Sequence, residues 1–347
     1  MRLRLATFNL ENLDESAASR PGGRLDGDQA PTRGARRRAP WNGVPLEQRV
    51  AVLRPQLEGL RADVLCLQEV SAHARRDGQR SLHALDHLLA DTPYAGFARA
   101  ATHAATGGPA DVHNLVVLSR WPIVATQQHL HDLVPPPTVH LRTTPTPQDV
   151  AVRWDRPLLQ VTVELPGGRS LVVWNAHLRA PLAAAVEGGK QGNHWRTTAG
   201  WAEGYMLAAI KRVGQALELR HHVDRRLDAD PDAWIVVAGD LNAGADSSAY
   251  RLLRADPEDT GAPALTDRAL IALEDHVLAA GRYTVRLRGR PLLLDHLLAT
   301  PALARHLVGA EIPNAGLEDE HDLEVAGRAP VGSLHAPVVA EFELPEP

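Results

Sequence analysis

The stretch IVVAGDLNA, residues 235–243, joins a predicted strand to two polar side chains. Its first four residues are apolar and three of them are β-branched, and a short run of this kind that ends at a glycine is typical of a buried strand. Asp240 and Asn242 follow Gly239. Because side chains two positions apart in an extended chain point the same way, the carboxylate and the carboxamide should leave the strand together. This arrangement favours a functional site over a core.

The composition is that of an ordinary globular protein. Of the 347 residues, 44% are hydrophobic and 23% are charged, which argues against a disordered chain. No apolar stretch approaches the roughly 18 residues that cross a bilayer, and the amino terminus alternates like a strand, so we expect no membrane span, no secretion signal and a cytoplasmic location. Cys66 is the single cysteine, which excludes an internal disulfide.

Short β-like runs alternate with amphipathic helical stretches along the whole chain. Residues 46–60 and 205–227 carry apolar side chains at helical spacing, with charged residues on the other face, and are predicted helices. The predicted strands cover residues 2–9, 63–69, 114–119, 157–165, 170–178, 234–240, 291–299 and 336–344.

Three segments have the composition of loops: residues 14–45, 131–147 and 310–332 are rich in glycine, proline or charge. None of them marks a domain boundary, and apolar runs continue to the carboxyl terminus. We therefore predict one domain over residues 1–347, with these segments as insertions, and a monomer.

Six of the apolar runs begin or end with a polar side chain that can bind metal or transfer a proton. Each of these residues alone could be a turn former or a helix cap. Their recurrence favours one cleft at the edge of a sheet, because buried acids and imidazoles are costly without a shared metal or hydrogen-bond network. The residues are Asn9, Glu69, Asn175 with His177, Asp240 with Asn242, Asp295 and His335.

The residue types at these positions select a class of chemistry. Oxygen ligands such as Glu69, Asn9 and Asp240 suit Mg²⁺ or Mn²⁺. The sequence has no HExxH, GxSxG, GxxxxGK[ST] or GxGxxG motif and no cysteine cluster, which excludes several other enzyme classes. Hydrolysis at phosphorus is favoured, in which a metal polarises the phosphoryl oxygen and an aspartate handles the attacking water.

The ordered motifs TFNLEN, LCLQEV, NLVVLSRWPI, VVWNAHL, VVAGDLN, LLLDHLL and HAPVVAEF resemble those of the endonuclease/exonuclease/phosphatase superfamily, which includes pancreatic deoxyribonuclease and the abasic-site endonucleases. The resemblance spans nearly the whole chain. It implies an α/β protein with a four-layer α/β/β/α sandwich, in which two mixed β-sheets pack face to face. It also implies a divalent-metal-dependent phosphodiester hydrolase, with a nuclease as the first expectation.

The resemblance assigns a role to each matched residue. Asn9 and Glu69 correspond to the metal-binding pair. Asp240 and Asn242 correspond to the acid that orients water and the amide that contacts phosphate. The remaining assignments are His177 as a phosphate contact that also helps the leaving group, His335 as base or transition-state stabiliser, Asp295 as the acid that orients His335, and Asn114 and Arg179 as substrate contacts.

One position departs from the family pattern. Leu334 precedes His335 where the family usually has an aspartate that contributes to the metal site. Three explanations are open: the acidic loop 318–322 supplies a substitute ligand, the ion uses fewer protein ligands and more water, or the protein is impaired. We favour the first two together, because every other matched position is chemically competent.

The sequence is less informative about the substrate. The net charge of −5 gives no general basic field, so nucleic acid would need a local basic patch or bound metal. A phosphatase or lipid phosphodiesterase remains the alternative, and a non-catalytic phosphate- or nucleic-acid-binding protein is the alternative of another class. Loop residues that could contact a polyanion, or simply be solvated, are Arg33, Arg36, Arg37, Arg38, Arg75, Arg76 and Arg80, and His194, Trp195 and Arg196 form a second candidate contact in which the tryptophan could stack or pack internally.

Overall fold

The predicted strands assemble into two β-sheets. The computed structural model describes residues 1–14, 44–74, 79–105, 107–110 and 112–345, and twelve strands within these ranges form two six-stranded sheets. The strands are β1 (Arg2–Leu13), β2 (Val64–Val70), β3 (Ala98–Ala101), β4 (Asn114–Ser119), β5 (Ile123–His129), β6 (Leu158–Glu164), β7 (Ser170–His177), β8 (Trp234–Asp240), β9 (Ile271–Ala272), β10 (Asp295–Ala299), β11 (Leu307–Glu311) and β12 (Val338–Glu343).

The two sheets share one pattern of strand directions. The first sheet has the order β11-β12-β1-β2-β4-β3, and the second has the order β9-β10-β8-β7-β6-β5. In each, one central pair is parallel, β1 with β2 and β7 with β8, and the other neighbours are antiparallel. Both sheets are therefore mixed, and each parallel pair needs a crossover connection.

Helices supply the crossovers and cover the outer faces. The long α3 begins after Thr197, whose hydroxyl accepts the Gly200 N–H, as an N-cap residue does. The helices are α1 (Leu46–Leu60), α2 (His83–Leu89), α3 (Thr198–Ala229), α4 (Ser248–Arg254), α5 (Pro257–Thr260), α6 (Pro301–Ala304) and α7 (Glu320–Ala326), with 3₁₀ turns at Pro93–Gly96, Pro263–Arg268, Leu273–His276 and Ala279–Gly281. No helix in the described ranges is long and apolar enough to cross a membrane.

Three apolar layers hold the sandwich together. Alternate residues of facing strands, such as Leu5 and Val236, fill the space between the sheets. Leu53 of α1 packs on the outside of the first sheet, and Leu219 of α3 packs on the outside of the second. The layers are thus helix, sheet, sheet and helix, and both parallel pairs run between a helix and the central core.

The structure refines several sequence expectations. Helix 46–60 and strands 114–119 and 234–240 have the predicted bounds. The predicted strand 291–299 divides into Arg290–Leu292 and β10, because the first part pairs with Val285–Leu287 as a hairpin.

Two of the three predicted loop segments contain regular structure. Segment 131–147 includes strand Thr138–Leu141, which pairs with Gln148–Ala151, and segment 310–332 includes α7 and the end of β11. Two further short hairpins pair His73–Ala74 with Arg80–Ser81 and Lys190–Gln191 with His194–Trp195. Nearly all of segment 14–45, with Arg33 and Arg36 to Arg38, lies outside the described residues, as do Arg75 and Arg76.

Candidate active site

The carboxyl ends of the two parallel strand pairs meet at one edge of the sandwich. In register, Asn9 pairs with Gln68 across β1 and β2, and His177 pairs with Asp240 across β7 and β8. The Asn9 amide bridges the sheets, since Nδ2 donates to Asp240 Oδ2 at 3.1 Å and to Glu69 Oε1 at 3.4 Å. We call the residues gathered here the polar cluster: Asn9, Glu11, Glu69, His177, Asp240, Asn242, Asp295 and His335.

Asp240 lies at the centre of the polar cluster. Its Oδ1 accepts the Asn242 N–H at 2.8 Å, and its Oδ2 accepts the Asn242 side-chain amide at 3.2 Å. His177 Nε2 lies 3.3 Å from Asp240 Oδ2, and Asp295 faces Asp240 on β10. Burial, with the neighbouring charge of Asp295, raises the pKa of Asp240 to about 7.

Gly239 explains why a glycine stands before this aspartate. Its φ is +138°, and a Cβ at this position would lie 1.9 Å from the carbonyl oxygen of Ala176 on β7. A side chain would therefore push β7 away from β8. The glycine allows His177 and Asp240 to come together.

His335 is held by an aspartate from the second sheet. Its Nδ1 donates to Asp295 Oδ2 at 2.8 Å, as the resemblance implied. Burial lowers the pKa of His335, but the charge and hydrogen bond of Asp295 outweigh burial, and the pKa lies well above its usual value. The imidazole is therefore protonated at neutral pH. The Ser333 hydroxyl fixes this segment by donating to the Asn9 carbonyl at 2.7 Å and accepting the His335 N–H at 3.0 Å.

Glu11, which the sequence analysis did not single out, places a carboxylate beside Leu334. The Leu334 N–H donates to Glu11 Oε2 at 2.7 Å, so the carboxylate from β1 sits beside the residue that lacks one. Burial raises the pKa of Glu11 to about 7, and nearby Glu69 adds to the rise. The spacing of Asn9 and Glu11 was the available signal, since both occur in the same short motif.

Two acids of the loop 318–322 make contacts that hold the loop in place. Asp319 caps α7 and accepts the N–H groups of Arg288, Gly289 and His321. Glu318 pairs with Arg328 at 3.0 Å. Two of the loop acids are thus used in structural contacts. The charge of a third, Glu320, contributes to the raised pKa of Glu11, so the expectation that this loop supplies a ligand stays a prediction.

The other two side chains of the polar cluster have opposite electrostatic environments. Burial raises the pKa of Glu69, but His113, Arg156 and His335 more than offset burial, and the pKa falls below its usual value. Burial lowers the pKa of His177 well below its usual value, and Arg156 adds to the effect. Glu69 is therefore ionised and His177 is neutral, which suits an ion ligand and a hydrogen-bond donor respectively.

Arg156 is a second residue that the sequence analysis missed. Its charge acts on Glu69, Asp240 and His177, and its Nη1 is buried with no hydrogen-bond partner among the described residues. A buried guanidinium donor without a partner is costly. It is therefore available to an anion that enters the polar cluster. Its position directly before the predicted strand 157–165 was the only sequence signal.

The two weaker sequence candidates make contacts within the chain. Asn114 is fully buried and its amide donates to the carbonyls of Val70 and Ala110, so it holds a loop together. Arg179 forms an ion pair with Asp155 at 3.1 Å, and Asp155 also pairs with Lys211. Arg179 thus stands at the rim beside Arg156, whereas Asn114 has no free donor for a substrate.

Trp195, the predicted stacking residue, is used internally. It packs against the apolar residues beneath the start of α3, and the Lys190 ammonium lies 4.6 Å from its ring centroid. The internal-packing alternative therefore describes this tryptophan.

The backbone at the polar cluster is strained. Four non-glycine residues here have φ values between +47° and +60°: Glu11, Asn12, Glu69 and Asn242. Non-glycine residues seldom adopt this conformation, and it persists only where surrounding contacts enforce it. Here the enforcing contacts include the Asn12 N–H to Glu69 Oε2 at 3.0 Å. The strain turns the side chains toward one another after the strands end.

The polar cluster fits a hard divalent cation. Four carboxylates gather there, from Glu11, Glu69, Asp240 and Asp295. Asp240 and Asp295 offer oxygens within 4.8 Å of each other, and Asp295 Oδ1 is buried without a hydrogen-bond partner in the described ranges. His335, being protonated, offers no ligand atom. Carboxylate oxygens are the ligands that Mg²⁺ and Mn²⁺ prefer. As oriented, Asn9 directs its amide nitrogen at the carboxylates, and its Oδ1 accepts the Glu11 N–H at 2.8 Å.

Comparison with protein families gives one extended match. The family model described as Endonuclease/Exonuclease/phosphatase family matches residues 6–317. No curated protein matches the sequence significantly.

Several solved structures resemble the chain over its whole length. A mannosyl-6-phosphatase from Bacteroides thetaiotaomicron is 15% identical, has a TM-score of 0.55 and aligns with 99% of this chain and 100% of its own. A second protein from that organism, described as an endonuclease/exonuclease/phosphatase family protein, is 15% identical with a TM-score of 0.56, over 99% and 96%. Truncated TDP2 from Caenorhabditis elegans is 13% identical with a TM-score of 0.51, over 99% and 98%. At these identities the likeness shows the fold alone, and it confirms the predicted four-layer sandwich.

Proposed function

The chain belongs to the endonuclease/exonuclease/phosphatase family, and we propose that it is a divalent-metal-dependent phosphodiester hydrolase that cleaves nucleic acid. The observation that carries the proposal is the approach of Glu69, Asp240 and His335, which come from β2, from β8 and from the segment before β12. Together they offer an ion ligand, a group that takes a proton from water and a positive charge for phosphate.

The first sheet supplies the ion-binding side. Glu69 and Glu11 would hold Mg²⁺ or Mn²⁺, which when bound would polarise a phosphoryl oxygen and stabilise charge on the leaving group. Asn9, the other member of the implied pair, fixes the Glu69 carboxylate through its amide. Glu11 in this role accounts for Leu334, since the acid then comes from β1 and not from position 334.

The second sheet supplies the groups that handle the proton and the phosphate. Asp240 orients the attacking water and accepts its proton, and a pKa of about 7 suits a base at neutral pH. The Asn242 side-chain amide donates to the Asp240 carboxylate and so holds it in place. From this position Asn242 also contacts the phosphate. His177, neutral, donates a hydrogen bond to a phosphate oxygen. His335, protonated and oriented by Asp295, stabilises the charge that develops on the phosphate.

Cationic and aromatic groups beside the polar cluster favour a nucleic-acid substrate. Arg156 and Arg179 lie next to it, and Arg212 of α3 donates to the Arg179 carbonyl at 3.1 Å. Nearer the start of α3, Trp201 and Tyr205 are 47% and 42% exposed, with ring centroids 5.4 Å apart. Guanidinium groups bind phosphates and exposed rings stack on bases, so this side of α3 suits a strand that extends beyond the scissile phosphate.

The test is hydrolysis of a substrate panel by the metal-free protein with added Mg²⁺ or Mn²⁺. The panel contains plasmid DNA, single-stranded DNA, RNA, bis-p-nitrophenyl phosphate and p-nitrophenyl phosphate, and Glu69→Gln is the matched control. We expect metal-dependent cleavage of a nucleic acid that the control lacks. Turnover of p-nitrophenyl phosphate or bis-p-nitrophenyl phosphate, with none of the nucleic acids cleaved, would favour the alternative activity. Binding of nucleic acid without any turnover would support the non-catalytic alternative.

A further inference from the structure

A second group of potential metal ligands lies on the outer face of the second sheet, away from the polar cluster. His129 ends β5, Asp132 follows it in the next loop, and His222 faces them from α3; we call these three residues the outer histidine site. Each offers a ligand atom within 4.8 Å of the other two. The rings of His129 and His222 are 4.1 Å apart between centroids, and both lie about the same distance from Trp174, at 5.2 and 5.1 Å.

Both ring nitrogens of His129 lie beside side-chain oxygens. Its Nε2 lies 3.1 Å from Gln160 Oε1. Its Nδ1 lies 2.6 Å from Asp132 Oδ2. At this distance a proton joins the two atoms, and a metal ion that bound both of them would replace that proton. A hydrogen bond from the second nitrogen to an oxygen is also the usual arrangement around a metal-bound histidine.

His222 offers a ligand atom with no other use. Its Nε2 is buried and has no hydrogen-bond partner among the described residues. Burial, with the neighbouring His129, lowers the pKa of His222 to about 4, so the imidazole is neutral at physiological pH. A neutral imidazole with a free nitrogen is the form that binds transition metals.

The loop that carries Asp132 is fixed in advance. The buried carboxylate of Glu218 accepts the N–H groups of His131 at 3.1 Å, Asp132 at 2.5 Å and Leu133 at 3.3 Å, and the Trp154 Nε1–H at 2.6 Å. His131 adopts a φ of +64°, a conformation that needs such support. Three successive loop N–H groups that donate to one carboxylate keep Asp132 facing the histidines.

We propose that His129, Asp132 and His222 bind a transition-metal ion of the zinc class, separate from the Mg²⁺ or Mn²⁺ of the polar cluster. Two imidazole nitrogens and one carboxylate oxygen suit Zn²⁺, which takes four ligands and would complete its shell with water. Bound there, the ion joins β5, an edge strand, and its following loop to α3. The role of the ion is therefore structural. The proposal can be tested whether or not the polar cluster hydrolyses phosphodiesters.

The test measures binding of Co²⁺ and Zn²⁺ by the full chain in the Glu69→Gln background with excess Mg²⁺, which occupies or disables the other site. We expect one equivalent to bind by calorimetry, with visible cobalt bands of a four-coordinate site. His222→Gln and Asp132→Asn should each weaken binding by about tenfold or more. His221→Gln is the matched control, because His221 is the exposed neighbour of His222 on α3 and should change nothing.

Two outcomes would overturn the inference. One is the absence of stoichiometric binding by a variant background whose circular dichroism shows that it is folded. The other is equal affinity of His222→Gln and His221→Gln, which would show that the metal binds elsewhere and that the three residues form only a hydrogen-bonded cluster.

Discussion

The two sheets have the same pattern of strand directions, with a parallel pair at the centre of each, yet they bring different chemistry to their common edge. The pair β1 and β2 ends in the amide and carboxylate of Asn9 and Glu69, and the pair β7 and β8 ends in His177 and Asp240. In our proposal the first sheet holds the ion and the second handles water, proton and phosphate. Two sheets of similar architecture can thus each supply part of one active site, so that neither sheet is sufficient alone.

The outer faces of the sheets differ as well. α1 and α2 cover the first sheet with an aliphatic layer that includes Leu53 and Leu85. α3 covers the second with a mixed layer, in which Leu219 packs near Trp174 while His129 and His222 lie beside them. The outer face of the first sheet contributes buried apolar contacts to stability. The outer face of the second sheet also holds polar side chains.

The largest effect should come from neutralising one acid from each sheet. Glu69→Gln and Asp240→Asn should each lower kcat by about 10³-fold or more, the scale on which catalytic electrostatic groups act. Raising Mg²⁺ should partly restore Glu69→Gln, because that variant binds the ion weakly, and should not restore Asp240→Asn. Rate measurements over a Mg²⁺ titration check this. Equal rescue of both variants would contradict the division between the sheets.

Truncating the apolar layers should affect stability and leave the chemistry intact. Leu53 and Leu219 are both fully buried, and each substitution by alanine should cost about 2–5 kcal/mol of unfolding free energy, since it removes apolar contacts and leaves a cavity. Urea denaturation measures the loss, and kcat per folded molecule should be unchanged. A much smaller loss for Leu219→Ala would mean that the mixed layer contributes less to the fold than the aliphatic one.

Glu11→Gln should sharpen the account of the first sheet. We expect Mg²⁺ affinity to fall about 10- to 100-fold, the range seen when groups that support a metal site are removed. Glu47→Gln, at the exposed start of α1, is the control. The proposed replacement of the family aspartate by Glu11 is lost if the two variants bind Mg²⁺ equally well.

The raised pKa of Glu11 predicts how Mg²⁺ affinity changes with pH. Glu11 has a pKa of about 7 in the metal-free protein, so at pH 6 it is mostly protonated and Mg²⁺ must displace the proton. Affinity for Mg²⁺ should therefore rise with pH between 6 and 8, and Glu11→Gln should show a shallower rise. Calorimetric titrations at both pH values provide the measurement, and a parallel pH dependence of the two proteins would assign the proton to another group.

The smallest effect should come from the substrate side. Arg156→Gln should raise KM for a nucleic-acid substrate about tenfold, because a hydrogen bond to a charged group contributes about 1.5–3 kcal/mol. The exposed neighbour Arg153 gives the control, Arg153→Gln. If Arg156 binds phosphate, the variant should also show a weaker dependence of KM on salt. An unchanged KM with a lowered kcat would place Arg156 at the reacting phosphate instead.

The sequence predicted the central strands well because they are apolar, short and bounded by clear signals. β8 and α1 have the predicted bounds. β5 was missed because four of its seven residues are exposed, as suits an edge strand, and its pattern has no apolar face to detect. The helix within segment 310–332 was missed because proline, glycine and acids there looked like a loop.

The site was predictable only in part, and the reason lies in contacts between distant parts of the chain. The matched motifs identified most of the polar cluster, and the hydrogen bond between Asp295 and His335 followed from the resemblance. Glu11 was missed because its backbone leaves the extended conformation, so strand alternation does not indicate where its side chain points. Its contact with Leu334 joins positions 323 residues apart, which no local pattern reveals.

Because β1 pairs with β12, the last strand of the chain, the first sheet can be completed only after the whole chain has been synthesised. β1 lies between β2 and β12, and the Ser333 hydroxyl joins the Asn9 carbonyl across 324 positions. Ribosomes synthesise chains from the amino terminus at a limited rate, so the half-made protein carries Asn9 and Glu69 long before His335 exists. In our proposal, a nascent chain that lacks His335 has an incomplete polar cluster, so hydrolysis can begin only after the carboxyl-terminal strand has been made.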